Sequence, residues 1–182
     1  MAAALHRLAN RANRVRRGYL GNADLPLNGY TAVLGAYSGL VTAVGLLARA
    51  TGRRPPERID LQDVVLLGVA THKLSRLVAK EAVMSPLRAP FTRYREPAGL
   101  AELNEEPRGE GAQHTVGELV NCPFCLAVWV ATGMAVGLVF APRLTRLVAG
   151  TLGAVAVSDG LHIGYDAAKQ HLERVSERKG TT

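Results

Sequence analysis

Apolar residues along this chain gather into long blocks, and the charged residues sit almost entirely between them. No charge interrupts Tyr30 to Ala48, and none interrupts Leu119 to Phe140. A helix rises ~1.5 Å per residue and a bilayer's hydrocarbon core is ~30 Å thick, so both blocks have the length of a membrane span. Leu147 to Tyr165 is a weaker block, with Asp159 and His162 in its second half. Leu61 to Val78 is mixed: apolar at Val64, Val65, Leu66, Leu67 and Val69, then charged at Lys73 and Arg76, with Lys80 just beyond. On a 3.6-residue period Lys73, Arg76 and Lys80 share one face. A lysine or arginine facing lipid at mid-bilayer costs about 2.5–3.5 kcal/mol on insertion scales. This segment is therefore predicted either to span with its charged face against protein or water, or to lie at the interface as an amphipathic helix.

The polar stretches complete the expected layout. Residues 5–20 carry Arg7, Arg11, Arg14, Arg16 and Arg17 among Leu5, Leu8, Val15 and Leu20. They read as a basic helix on a membrane surface or, equally, as a solvated basic tail. Gly21 to Gly29, with Asn22, Asp24, Pro26 and Asn28, is turn chemistry. Residues 81–118 contain Pro86, Pro90, Pro97 and Pro107 and are expected to form a long polar loop, mobile over Glu102 to Gly111. The predicted fold is all-α: an integral membrane helical bundle of about four hydrophobic helices, one of them amphipathic, plus a basic N-terminal surface helix. It forms a single membrane domain over 1–182. Within it, 1–29 is the basic segment, 30–80 two helices, 81–118 the loop, 119–166 a helical hairpin and 167–182 a charged tail.

Composition adds little to this, since a hydrophobic share of 48% suits soluble proteins as well. The net charge of +7 could suggest nucleic acid. Here, however, the basic residues flank apolar blocks, where they anchor helices and attract anionic headgroups, so the expected partner is the lipid bilayer and not nucleic acid. The residues after Met1 lack an apolar run beside their positive charges, and no cleaved signal peptide is expected. Counting Lys and Arg near the span ends places the termini and the 81–118 segment in the cytoplasm of a multi-pass protein of the cell membrane. Gly35 and Gly39 have the G-x-x-x-G spacing that lets a second helix approach, so a homo-oligomer or another membrane protein is a candidate partner.

Two groups of residues could carry chemistry. Cys122-Pro123-Phe124-Cys125 is a C-x-x-C at the start of an apolar helix, where the helix N-terminus favours the thiolate. The βαβ pattern around soluble dithiol sites is absent. With His114 and His72, the two cysteines could also supply a tetrahedral zinc site, although no recognised spacing supports one. The bland reading is that both pack a helix end. The second group is an intramembrane polar network of His72, Lys73, Arg76, Asp159 and His162, with Lys73 or Arg76 as the expected counter-ion of Asp159. Such a network is structural or, less simply, a proton relay. No Ser-His-Asp order, P-loop or dinucleotide glycine pattern occurs, and no cofactor is expected.

Three strings then stand out together: Thr71-His72-Lys73-Leu74-Ser75-Arg76-Leu77-Val78, Ser85-Pro86-Leu87-Arg88-Ala89-Pro90-Phe91, and Gly117-Glu118-Leu119-Val120-Asn121-Cys122-Pro123-Phe124-Cys125-Leu126-Ala127-Val128-Trp129. They resemble a bacterial family of small integral membrane proteins of unknown function that includes a sporulation-associated member. The likeness covers roughly residues 60–160, with Ala127 where relatives commonly have Gly. The resemblance implies membrane residence and marks Arg76, Pro86, Arg88, Glu118, Cys122, Cys125 and Trp129 as motif positions, but supplies no activity. The expected function is a non-catalytic membrane component or partner scaffold. The alternative is a thiol redox or thiolate-metal protein using the cysteine pair. A small transporter subunit would require the Arg76 and Asp159 region to line a water path.

Overall fold

Proline and glycine set most of the element boundaries in the computed structural model, which describes residues 2–21 and 25–180. Helix α1 (Ala2–Leu20) carries the arginines and ends at Gly21, whose φ of 52° is left-handed. Helix α2 (Leu27–Ala50) follows Pro26, so Asn28 and Gly29 are helical and not part of a turn; Asn22 and Asp24 lie outside the described residues. Helix α3 (Leu61–Lys80) comprises the mixed block.

The stretch after α3 corrects the expected polar loop. It folds into a 3-10 turn (Ala82–Met84), a short helix α4 (Ser85–Arg88), an antiparallel hairpin of β1 (Thr92–Gly99) and β2 (Glu102–Pro107), and helix α5 (Gly111–Asn121). The fold is thus mostly helical, not all-α, and the Glu102–Gly111 stretch expected to be mobile supplies a paired strand and the start of a helix. Ion pairs distant in sequence hold this cap, which is why local composition did not betray it.

The apolar run Leu119–Phe140 is likewise not one helix. Proline has no N–H and disfavours helical backbone at the preceding residue. Cys122 accordingly takes φ −102° and ψ 107°, so α5 stops at Asn121 and α6 (Pro123–Phe140) starts afresh. Helix α7 (Pro142–Gly180) follows after one residue and is continuous, so the last apolar block and the charged tail form a single helix. The α6–α7 corner is tight enough that a Cβ on Gly137 would collide with the Thr145 side chain.

Helix α3 lies between α6 and α7, and the small core forms there: Ala70, Met134 and Ala149, flanked by Leu66, Leu67, Leu74, Val130 and Leu152. Helix α2 touches the rest lightly, through α5 and α6. A Cβ on Gly35 or Gly39 would meet nothing within 4 Å, so this glycine stripe has no helix against it among the described residues. Among the described residues three helices are long and apolar enough to cross a membrane: Leu27–Ala50, Pro123–Phe140 and Pro142–Arg174. Helix α3 is not among them, because its second half is charged.

Candidate functional site

The sequence spaces Lys73, Arg76 and Lys80 along one face of α3, and the cap docks on that face. Arg88 is the centre of the docking. It is 1% exposed and the largest fully buried side chain among the described residues. Its Nε and Nη2 donate to Glu105 Oε2 (3.0 Å) and Oε1 (2.7 Å), while Nη1 donates to the carbonyls of Val78 (2.7 Å) and Glu81 (3.1 Å). The fork of a guanidinium matches a carboxylate in this bidentate way. The remaining donor, Nη1, ties the pair to the C-terminal turn of α3. Thr92 Oγ1 adds a bond to Glu105 Oε2 (2.5 Å). Burial pushes the Glu105 carboxyl up, but the hydrogen bonds from Arg88 and Thr92 and the charges of Arg88 and Lys80 outweigh it and hold the group below the ordinary glutamate value.

Further joints fasten the cap along α3. Arg76 grips Glu102 with Nε and Nη2 at 2.8 and 2.9 Å. Lys80 Nζ donates to Asn121 Oδ1 (3.0 Å), and Asn121 Nδ2 donates to the Glu105 carbonyl (2.6 Å). Lys73 Nζ sits between Glu81 Oε1 (2.5 Å) and Asp159 Oδ2 (2.9 Å), joining α3 to both the cap and α7. Of the predicted network, then, Lys73 and Asp159 meet, Arg76 turns to Glu102 instead, and His72 and His162 lie exposed. Pro86 opens α4 and thereby presents Arg88. At the opposite end, Arg146 donates to Asp63 in bidentate fashion at 2.9 and 2.6 Å, clasping α7 to the start of α3.

Helix α5 seats the remaining motif residues beside the cap. Gly117 is required there, because a Cβ would collide with the Phe91 carbonyl and crowd Pro107. At the next residue, Glu118 Oε1 accepts from Tyr30 Oη of α2 (3.2 Å), and His114 Nε2 lies 3.7 Å away. Cys122 caps α6, its Sγ accepting from the Cys125 amide (3.2 Å), and both thiols are free. Trp129 meets Tyr37 edge-on, with centroids 5.3 Å apart and planes at 75°. His114 and His72 do not join the cysteines: among the described residues no three His, Cys, Asp or Glu side chains gather as a metal would need.

Sequence reasoning missed Glu81, Glu102, Glu105, Asn121 and Tyr30. The available signal was charge balance, since the acids of 81–106 answer the bases of α3 and α4.

A family described as "Protein of unknown function (DUF1360)" matches residues 66–165, from the middle of α3 through the cap to α7. A relative described as "Sporulation protein YjcA", from Bacillus subtilis (strain 168), is 35% identical over 71 residues, which are 37% of this chain. The match spans 60% of that relative's length. No solved structure matches.

Proposed function

We propose, from the premise that this chain belongs to the DUF1360 family of proteins of unknown function, that it is a multi-pass membrane protein with a non-catalytic, scaffolding role. Helices α2, α6 and α7 cross the bilayer, and α3 crosses with its charged face turned to the cap and to α7. The cap, α1 and the distal part of α7 share the cytoplasmic side, where the chain's Lys and Arg are concentrated. The short α2–α3 and α6–α7 connections lie outside. One observation carries the scaffold reading: the charged side chains that chemistry would need are committed to fastening the cap, as when Arg88 gives its donors to Glu105, Val78 and Glu81. What remains free to meet a partner is the outer face of the hairpin, where Leu100 is 93% exposed, and the solvent-facing end of α7.

Topology is tested with single cysteines in a Cys122→Ser, Cys125→Ser background. Cysteines at Arg53 and at Leu100 should react with an impermeant maleimide from opposite sides, and labelling from one side would overturn the arrangement. The same background should retain the cellular phenotype if the role is non-catalytic.

The geometry of Cys122 favours a second reading. Its Sγ accepts from the Cys125 amide at the start of α6, which sets two free thiols at C-x-x-C spacing, an arrangement suited to disulfide exchange or to holding a metal. Loss of phenotype in the double serine variant, together with a disulfide or bound metal found by mass spectrometry, would replace the scaffold reading with this one.

A further inference from the structure

A cleft of about 590 Å³ opens between α2, α5 and α6. That is the size of sites that hold small organic ligands, ~300–1,000 Å³. Its walls are apolar and aromatic, formed by Leu34, Tyr37, Val128 and Trp129 among others, and Glu118 supplies a carboxylate at its polar end. One oxygen of that carboxylate, Oε1, is served by Tyr30. The other, Oε2, is buried and finds no hydrogen-bond partner among the described residues. A buried carboxylate oxygen without a donor is costly, so a donor from the cleft would be strongly favoured.

The chemistry of the walls narrows the choice of donor. An anion is repelled by Glu118, and among the described residues no cluster of metal-ligating side chains gathers there. Aromatic faces attract cations, so a positive group suits a cleft lined by rings and bearing a carboxylate. A quaternary ammonium has no N–H to give Oε2, whereas a primary ammonium has three. The apolar walls run on to the outer faces of α2 and α6, where Leu34 and Val128 are exposed, which provides a track for a hydrocarbon chain.

We propose that this cleft binds a membrane lipid with a primary-ammonium headgroup, the ammonium donating to the Glu118 carboxylate at the polar end and the acyl chain lying along Leu34 and Val128. The inference rests on the membrane reading above.

Trp129 is the sole tryptophan and reports on the cleft directly. The full chain is placed in nanodiscs of phosphatidylglycerol containing a small, equal fraction of acyl-brominated phosphatidylethanolamine or acyl-brominated phosphatidylglycerol. The ethanolamine lipid should quench Trp129 about threefold more, the weight of one favourable cation contact. Unbrominated phosphatidylethanolamine should restore the fluorescence. Glu118→Gln should reduce quenching to the level of the glycerol lipid while leaving that basal quenching, which shows insertion, intact. Equal quenching by both lipids in an inserted chain would overturn the lipid site and leave the membrane reading standing. Failure of a folded chain to insert would overturn both. Retained preference in Glu118→Gln, or recovery by soluble ethanolamine as complete as by the lipid, would also overturn the assignment.

Discussion

The helical bundle and the cap bury opposite kinds of residue. Around α3 the enclosed core is Ala70, Met134 and Ala149, and large apolar side chains such as Leu34, Leu46, Val128 and Leu161 face outward. In the cap the most enclosed large side chain is Arg88, held against Glu105, while Leu100 stands in the open. A chain surrounded by water throughout would bury the leucines first, because each contributes about 1.5–3 kcal/mol on leaving water. On the membrane reading proposed above the difference is what two solvents would produce: hydrocarbon would offer the bundle no reason to hide its leucines, whereas the cap must hold its shape with specific polar joints.

The largest break in this contrast should come from Arg88→Ala. It leaves Glu105 buried and unpaired, a loss of about 3–5 kcal/mol for a buried pair. Rapid hydrogen exchange should follow in β1 and β2, with α6 and α7 unchanged. Replacing both partners with leucine should recover much of this protection, because the cost lies in the widowed charge. Gly117→Ala should come next, at about 1–3 kcal/mol for forcing a methyl into a filled space, read as a lower thermal midpoint of the cap.

Acid should separate the two regions without mutation. Since the folded Glu105 carboxyl lies below its ordinary value, its contribution is complete above the unfolded glutamate pKa of about 4.3 and is lost as pH falls through the lower folded value. Cap exchange protection should therefore fade below about pH 4.3, while bundle helicity by circular dichroism persists. Asp63→Asn should do least. Although Asp63 is buried, its partner Arg146 is 51% exposed and keeps its charge in contact with water, so this pair loses less than the enclosed Arg88–Glu105 pair. The change should appear only as faster exchange in the first turns of α3 and α7.

The parts legible in the sequence are those governed by neighbours along the chain. Charge-free runs marked α2 and α6, a weaker apolar block marked the first half of α7, and helical spacing put Lys73, Arg76 and Lys80 on one side of α3. The cap was illegible because its order depends on distant pairings: Arg76 with Glu102, Arg88 with Glu105, Lys80 with Asn121. Strand β1 has no clean apolar alternation to announce it, and Pro97 lies inside it. The cleft was hidden for the same reason, since Tyr30 reaches Glu118 across 88 positions. Proline at 123 is legible as a helix start, but the apolar run that continues on both sides of it masks the break between α5 and α6.

Lys73 lies 12% exposed between Glu81 of the cap and an Asp159 that is 47% exposed. One ammonium is thus a shared hinge pin for two bodies, one enclosed and one open to solvent. Counter-ions screen the open contact far more than the enclosed ones. Raising the ionic strength should therefore loosen the Lys73–Asp159 contact before the Lys73–Glu81 contact, and the cap should keep its own joints while its tie to the long final helix weakens.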